Sequence, residues 1–468
     1  MTEQPRTRQE LYDRIRQIGK SEFVLEEMIR LGFWPPAGEI PEDPADEIRH
    51  RHQLQKQLQE LYQHRSLIKD QEAFRKQRLK ERLAESRRKQ QETKERRERE
   101  RQERAAAWQE RKQQEILYLG EGVSGGLNYT QGNLERLQEY DIPAYNTPPE
   151  IANAMGISLG ELKFLAFHRP TGTLSHYIRF KIPKKTGGER LISAPMPRLK
   201  QAQRWILTEI LTPLTIHEAA HGFCRDHSIV TNAQLHVGAA VIINFDLKNF
   251  FPTISYQRVK GLFRSFGYSE SAATIFSLIC TELETETVEL HGQTYFVATR
   301  DRQLPQGSPA SPMISNLICR RLDRRLTQIA THLEFTYTRY ADDLTFSTQL
   351  DNPRIAKLLS TVRSIVNHEG FVINEEKTRV LRRKSSQLDV TGIVVNEKPT
   401  IAKQELKRFR ATLYQIEKDG PEGKHWGNST NVITAIEGFA NFVAMVNPEK
   451  GEELIAQVKR IKQKWKRK

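Results

Sequence analysis

The chain has 468 residues, with 73 Lys and Arg against 58 Asp and Glu and a formal net charge of +15. This length allows two or three domains, and the excess of base favours a polyanionic partner, nucleic acid being the first candidate. Its three cysteines are too widely spaced for a disulfide scaffold or a zinc site and fit a cytoplasmic protein. No signal-peptide core or apolar run of about 18 residues is present, so we expect neither secretion nor a membrane partner.

The first quarter of the chain is predicted to be all-α and highly charged. Residues 1–45 are predicted to form a small helical segment, because apolar residues recur at helical spacing before a Pro-Pro pair. Residues 46–117 are rich in charge and lack a sustained apolar heptad, which indicates either a long solvated helix or a basic arm lying on RNA. Residues 118–133 are Gly-rich and are predicted to be a flexible linker.

The remaining chain mixes helix and strand signals, which predicts an α+β domain over residues 134–396. His176 to Pro195 is predicted to be an antiparallel hairpin that turns at Gly187-Gly188. Residues 397–468 are mostly helical in pattern and end in a basic tail. Trp465 in that tail would either stack on a base or be an exposed tail residue.

Two short segments are predicted to bring three carboxylates together at strand ends. Apolar and β-branched residues flank Asp342 and Asp343, which predicts a hairpin with two adjacent acids at its tip. Adjacent acids repel each other unless a cation compensates them. Asp246 ends a buried-strand pattern about ninety residues upstream and is followed by Phe250-Phe251. Ala-Asp-Asp alone is most often a surface turn, but the combination is typical of a polymerase palm that gathers carboxylates for two Mg²⁺ ions.

At these motifs the sequence resembles reverse transcriptases, and the match runs in order through the C-terminal two-thirds of the chain. The resemblance implies a right-hand polymerase fold of fingers, palm and thumb and an RNA-directed DNA polymerase that uses deoxynucleoside triphosphates. It also implies two Mg²⁺ ions, with Mn²⁺ as a substitute, held by Asp246, Asp342 and Asp343. Lys377 matches a family lysine beside the leaving pyrophosphate and is a candidate general acid.

Further residues match the nucleotide pocket of the family. Gln306 and Gly307 lie in a Leu-Pro-Gln-Gly-Ser-Pro segment, where a turn without a bulky side chain lets the backbone approach a base and sugar. Phe251 matches the aromatic residue that fills the space of a ribose 2′-hydroxyl. Lys181 and Arg190 flank the fingers hairpin and either hold the triphosphate or are ordinary surface charges.

Two short motifs resemble those of retron reverse transcriptases. Asn232 and His236 fit Asn-Ala-x-x-His, and Val390-Thr391-Gly392 fits Val-Thr-Gly. On a helix Asn232 and His236 would share one face, where they either contact RNA or brace the fingers. The resemblance implies a cognate structured non-coding RNA that is copied from a guanosine 2′-hydroxyl into branched RNA-linked DNA.

The resemblance also implies anti-phage defence with an effector protein, for which residues 1–117 are the candidate binding region. Two alternatives to the retron enzyme remain. They are another bacterial reverse transcriptase of the group II intron kind and a non-catalytic RNA-binding scaffold.

Two other features concern possible ligands. His217, Glu218 and His221 fit the His-Glu-x-x-His pattern of zinc proteases, but Gly222 and Cys224 depart from that pattern, so we expect a structural role. Lys407 and Arg408 lie on a predicted thumb helix and are expected to follow the backbone of an RNA-containing duplex.

Overall fold

The structure of the chain is a computed structural model that describes residues 7–18, 71–183 and 187–465, with a few short stretches between 23 and 61 in addition. The chain divides into two compact units, Met1–Glu103 and Arg104–Lys468. Within the described part, no helix is both long enough and apolar enough to cross a lipid bilayer.

The first unit contains two long described helices. α1 is Arg8–Ile18, and α2 is Gln71–Gln114, which continues past the end of this unit. Side chains four residues apart form ion pairs along α2, such as Lys89 with Glu85 at 2.8 Å, and these pairs support a helix that has no apolar face. Both helices lie within the segments 1–45 and 46–117 that are predicted to be helical, and most of residues 19–70 lies outside the description.

Residues 118–133 belong to the main core, so the prediction of a flexible linker is wrong. Leu119, Val123 and Leu127 are buried there. A Cβ added to Gly120, which has a φ of +120°, would lie 2.5 Å from the carbonyl oxygen of His168. Glycine therefore allows two backbone segments to touch at this point and does not loosen the chain.

The second unit is an α+β arrangement, as the sequence predicts. Its helices are α3 (Leu134–Glu139), α4 (Pro148–Met155), α5 (Leu159–Ala166), α6 (Pro197–Trp205), α7 (Ile229–Gln234), α8 (Tyr256–Ser265), α9 (Glu270–Cys280), α10 (Ser311–Ile318), α11 (Arg320–His332), α12 (Ile355–His368), α13 (Lys403–Asp419), α14 (Val432–Val446) and α15 (Pro448–Trp465). Its strands are β1 (Thr171–Gly172), β2 (Tyr177–Pro183), β3 (Glu189–Pro195), β4 (Val241–Asp246), β5 (Thr285–Leu290), β6 (Gln293–Ala298), β7 (Thr336–Tyr340), β8 (Asp343–Thr348), β9 (Arg379–Arg382), β10 (Asp389–Val390) and β11 (Ile393–Val394). A π-helical segment, Ile206–Leu211, extends α6, and a 3-10 turn, Glu375–Lys377, precedes β9.

A four-stranded antiparallel sheet in the order β7-β8-β4-β9 forms the centre of this unit. Successive residues of a strand point to opposite faces. Val241, Ile243 and Phe245 of β4 pack into the main core, whereas Ile242 packs into a second core. Burial on both faces explains the continuous apolar run in β4. This sheet is the palm that the sequence predicts.

The predicted hairpin at residues 176–195 is confirmed as β2 paired with β3. Tyr177 is opposite Pro195, and Ile182 is opposite Arg190. β1, β6 and β5 form a separate three-stranded sheet. The β2–β3 hairpin corresponds to the predicted fingers.

The second core joins the back of the palm to the C-terminal helices. It contains Phe409 of α13, Ile436 of α14 and Val458 of α15 together with Ile242 of the palm. Trp465 packs partly against this core, and a Cβ added to Gly420 would lie 3.2 Å from its ring. Trp465 is therefore neither an exposed tail residue nor free to stack on a base. The three helices correspond to the predicted thumb.

Candidate active site

The palm sheet brings the three predicted carboxylates to one edge. Asp246 is the last residue of β4 and lies directly opposite Asp343, the first residue of β8. Directly opposite residues in an antiparallel pair point to the same face, with Cα atoms about 4.5–5.5 Å apart. Asp342 occupies the turn before β8, and its carbonyl oxygen accepts a hydrogen bond of 2.9 Å from the amide of Leu247. The turn is thus tied to the end of β4.

The carboxylates perturb one another. Partial burial raises the pKa of Asp343 to about 7, and the negative charges of Asp342 and Asp246 add to this rise. Burial and the charge of Asp246 also raise the pKa of Asp342, while Arg190 and Lys377 oppose the rise. The ionised form of the site is therefore destabilised until a cation compensates it.

Lys377 supplies part of the compensating charge. Its Nζ lies 3.0 Å from Oδ2 and 3.2 Å from Oδ1 of Asp246. Asn374 donates from Nδ2 to Oδ1 of the same carboxylate at 3.1 Å, and its amide bonds to the Asp246 carbonyl oxygen at 2.8 Å. The short turn before β9 therefore positions both groups at the end of β4.

The donor chemistry of the site suits a hard divalent cation. The carboxylates of Asp246, Asp342 and Asp343 are oxygen donors, which Mg²⁺ and Mn²⁺ prefer. Their mutual repulsion is relieved by a bound cation. No three His, Cys, Asp or Glu side chains in the described part form a preassembled metal-binding cluster. A cation at this edge would compete with Lys377 for Asp246.

A buried ion pair holds the turn that carries Asp342. The guanidinium of Arg339 donates to both carboxylate oxygens of Asp323 at 2.8 and 2.7 Å, and both side chains are fully buried. The same guanidinium donates to the carbonyl oxygen of Ala341 at 3.2 Å, where φ is +56°. The sequence analysis did not predict this ion pair. Because alternate residues of a strand point to the same face, Arg339 does lie on the same face as the buried Tyr337, towards the core.

The His-Glu-x-x-His segment packs against the same turn and is not a zinc site. His221 lies beyond a bridge between Ala220 and Arg339, and no helix puts its ring on one face with that of His217. A Cβ added to Gly222 would lie 2.6 Å from the amide nitrogen of Ala341. The structural role predicted for this segment is close contact with the carboxylate turn.

Two of the predicted nucleotide-pocket residues contact the fingers hairpin, and the third contacts the segment that packs on the carboxylate turn. The carbonyl oxygen of Gln306 accepts a hydrogen bond of 2.9 Å from the amide of Ser193 in β3. Gly307 has a φ of +131°, and a Cβ there would lie 2.7 Å from the Ser193 carbonyl oxygen, so a larger residue would not fit. The Phe251 ring lies 6.3 Å from that of Phe223, a half-exposed residue that the sequence did not single out.

Phe223 extends this aromatic contact to the carboxylate hairpin. Its ring centroid lies 6.4 Å from that of Tyr340, the residue before the turn. Its backbone φ is +61°, which is uncommon for a bulky residue. Phe223 directly follows Gly222, which packs on the carboxylate turn. Its position next to this glycine is the feature of the sequence that could have indicated a place near the site.

The two predicted triphosphate contacts lie on opposite faces of the fingers hairpin. Arg190 is opposite Ile182, whereas Lys181 is opposite Leu191, so their side chains point to different sides. Arg190 is close enough to lower the pKa of Asp342. Lys181 instead forms an exposed ion pair of 2.8 Å with Glu189. The structure therefore brings Arg190, but not Lys181, to the carboxylates.

Asn232 and His236 are both buried, so neither side chain is exposed to an RNA ligand. α7 ends at Gln234, so His236 lies beyond the helix and shares no helical face with Asn232. The His236 ring lies 2.6 Å through Nδ1 from Ser347 Oγ and 2.7 Å through Nε2 from Thr338 Oγ1. Burial lowers its pKa to about 3, so the ring is neutral and bridges both strands of the carboxylate hairpin. The predicted bracing role applies to the palm and not to the fingers.

Val390 is the last residue of β10, and Thr391 and Gly392 form the turn to β11. Val390 is fully buried, which contradicts an RNA contact for its side chain. Thr391 and Gly392 have φ values of +49° and +84°, and only Gly392 of the three is exposed.

On the thumb, Lys407 and Arg408 are exposed on α13, and the Arg408 guanidinium lies 4.8 Å from the Trp426 ring centroid.

Comparison with known proteins identifies the family. The model of the reverse transcriptase (RNA-dependent DNA polymerase) family matches residues 182–395. The chain is 40% identical over 339 residues to Retron Mx162 reverse transcriptase of Myxococcus xanthus, covering 69% of each chain. It is 32% identical over 337 residues to Retron Ec86 reverse transcriptase of Escherichia coli, covering 71% of this chain and 95% of that one. A solved telomerase of Candida albicans aligns at 12% identity over 60% of this chain and 56% of that one, with a TM-score of 0.37 that adds nothing to the assignment.

These relatives fix the general activity and fold. The chain is an RNA-directed DNA polymerase with a right-hand arrangement of fingers, palm and thumb. Its template is RNA, its substrates are deoxynucleoside triphosphates, and enzymes of this kind use divalent metal ions. The chain belongs to the retron reverse transcriptases.

Proposed function

We propose that this enzyme copies part of a cognate structured non-coding RNA into single-stranded DNA that remains joined to the RNA through a branch. Synthesis begins at a guanosine 2′-hydroxyl. The observation that supports catalysis is the direct pairing of Asp246 with Asp343 beside Asp342, because it concentrates three carboxylates at one sheet edge. The similarity to retron enzymes supports the branched product.

In this proposal Asp246, Asp342 and Asp343 hold two Mg²⁺ ions, for which Mn²⁺ can substitute. Bound metal ions of this kind activate an attacking hydroxyl and stabilise a departing pyrophosphate. Lys377, which contacts Asp246, donates a proton to the pyrophosphate as it leaves.

Other side chains have binding roles in the proposal. Phe251, Gln306 and Gly307 shape the pocket for the deoxynucleotide, and Arg190 contacts the triphosphate. Lys407 and Arg408 follow the duplex along the thumb, since they are exposed on one helix. Residues 134–396 serve as fingers and palm and residues 397–468 as thumb. The buried residues between 116 and 127 extend the polymerase domain towards the N-terminus.

The test is primer extension by purified protein co-expressed with its neighbouring RNA. Asp343→Asn should abolish synthesis, whereas Asp351→Asn, which removes a carboxylate from a surface ion pair with Lys384, should not. Sequencing of the product junction then tests for a 2′ linkage. Extension of any primed template without a branch would favour an enzyme of the group II intron kind. RNA binding without synthesis would favour a non-catalytic scaffold.

We further propose that the enzyme acts in the cytoplasm in anti-phage defence and that the region before the polymerase binds an effector protein. Deletion should end at Glu103, the boundary of the first unit, because Ile116 belongs to the polymerase core. We expect loss of cellular protection with unchanged extension of a preannealed primer at saturating template. Protection equal to that of the full chain would contradict an effector role.

A further inference from the structure

The basic residues of α2 are not distributed evenly around the helix. Lys80, Arg87, Lys94 and Arg101 recur every seven residues, which puts them about 10 Å apart along the axis and within roughly 60° around it. The acidic residues Glu81, Glu85, Glu92 and Glu103 lie on another face, roughly 150° away. We call the first set the cationic row.

The cationic row is exposed, and its members form no ion pair within the described part of the chain. All four side chains are exposed. Arg88, Lys89 and Arg96 form ion pairs along α2, whereas no described ion pair involves a member of the row. Glu98 lies within the angular range of the row, between Lys94 and Arg101, but forms no ion pair with either. The positive charge of the row therefore remains available to a ligand.

Two basic residues beside the row add to its positive charge. Lys76 lies one turn before Lys80, and Arg97 lies one turn before Arg101. Like charges four residues apart destabilise an isolated helix, whereas alternating acid and base would stabilise it. A helix that served only as a solvated spacer would be more stable with acidic residues in place of Lys76 and Arg97. The arrangement suits a helix whose repulsion is relieved by a bound polyanion.

A groove within the first unit adjoins the C-terminal half of the row and includes Lys94 and Arg101 in its lining. It has a volume of about 700 Å³ and is lined by five basic side chains, against two acidic ones, Glu85 and Glu98. The basic lining residues are Arg82, Lys89, Lys94, Arg97 and Arg101. Charge complementarity therefore favours an anionic occupant along this side of α2.

We propose that the cationic row binds the sugar-phosphate backbone of a base-paired stem in the RNA that this enzyme uses as template. This inference rests on the proposed use of a structured RNA. RNA is favoured over an effector protein because a row of like charges at regular intervals matches a repeating polyanion. The contact is electrostatic and independent of base sequence.

The test uses the full chain, a synthetic RNA hairpin and two variants that lose the same number of charges. The row variant is Lys80→Gln/Arg87→Gln/Lys94→Gln/Arg101→Gln. The matched control is Arg78→Gln/Arg88→Gln/Arg96→Gln/Arg99→Gln, which neutralises the four arginines nearest the acidic face. Gln is a good helix former, and circular dichroism would check that both variants keep their helix content.

We expect the row variant to bind the hairpin at least about tenfold more weakly at ~0.15 M salt, while the control binds like the wild type. The slope of log K against log salt should fall in magnitude by about 3, because four phosphate contacts are lost. The double variant Arg87→Gln/Lys94→Gln should lose about half of that slope.

Equal weakening in row variant and control would overturn the proposal, because it would show an effect of total charge alone. Unchanged binding by the row variant would also overturn it and would leave this face to a protein partner. The row variant should still extend a preannealed primer at saturating template, whereas Asp343→Asn should not. Failure of the inference is thus distinguishable from failure of the proposed catalytic site.

Discussion

Replacement of His236 by Leu should destabilise the palm and leave RNA affinity unchanged. The imidazole lies within 2.7 Å of both Ser347 Oγ and Thr338 Oγ1, and all three side chains are buried. Leu fills much of the same volume but leaves both hydroxyls without this partner. An unsatisfied buried hydroxyl costs about 1–3 kcal/mol, so the free energy of unfolding should fall by roughly 2–6 kcal/mol.

The assay is urea unfolding of the wild type and the His236→Leu variant, with hairpin RNA binding measured on the same preparations. His332→Leu is the matched control, because His332 is exposed at the end of α11. In a Thr338→Val/Ser347→Ala background, His236→Leu should cost at least ~1 kcal/mol less, since no hydroxyl is then left unpaired.

Polymerisation should slow in the His236→Leu variant, because Thr338 and Ser347 lie on the two strands that lead to the carboxylate turn. The reasoning would be refuted by a variant with the stability of the wild type and weakened RNA binding. That result would mean that the ring reaches RNA and that the hydrogen bonds to the strands are dispensable.

Three further predictions concern the carboxylate turn and its support. Gly222→Ala should reduce the incorporation rate at least about tenfold, because the new Cβ would collide with the turn, whereas Gly261→Ala in open space should not. Asp323→Ala should lower the free energy of unfolding in urea by about 3–5 kcal/mol, because it leaves Arg339 charged, buried and unpaired. Titration of the metal-free protein should show greater stability at pH 6 than at pH 8, because folding raises the pKa of Asp343 to about 7 and the folded state therefore binds the extra proton. Asp343→Asn should weaken that dependence.

Local patterns predicted the strands and hairpins that position the candidate carboxylates. Alternation of apolar residues predicted the β2–β3 hairpin and the hairpin that carries Asp342 and Asp343. The buried run before Asp246 predicted the central strand of the palm. These features depend on residues close together in the sequence, and their periodicity is visible without a structure.

Features that depend on register or on long-range packing were not predictable in the same way. Lys181 and Arg190 both flank the fingers turn, but only the pairing of β2 with β3 shows that they point to opposite faces. The Asn-Ala-x-x-His spacing suggests one helical face, yet α7 ends before His236. Composition also does not show whether a glycine makes the backbone flexible or allows two backbone segments to pack closely, as Gly120 does.

The position of Ile242 has a consequence for how this polymerase can be divided. The strand that ends at Asp246 contributes side chains to the main core on one face and to the core of the thumb helices on the other. A fragment that stops near residue 396 would lose α13, α14 and α15 and would expose the apolar back of β4 to water. Exchange of the thumb with that of a relative would therefore require redesign of the palm surface beneath it. The thumb helices of this chain therefore complete the hydrophobic core behind the palm sheet in addition to forming a lobe of their own.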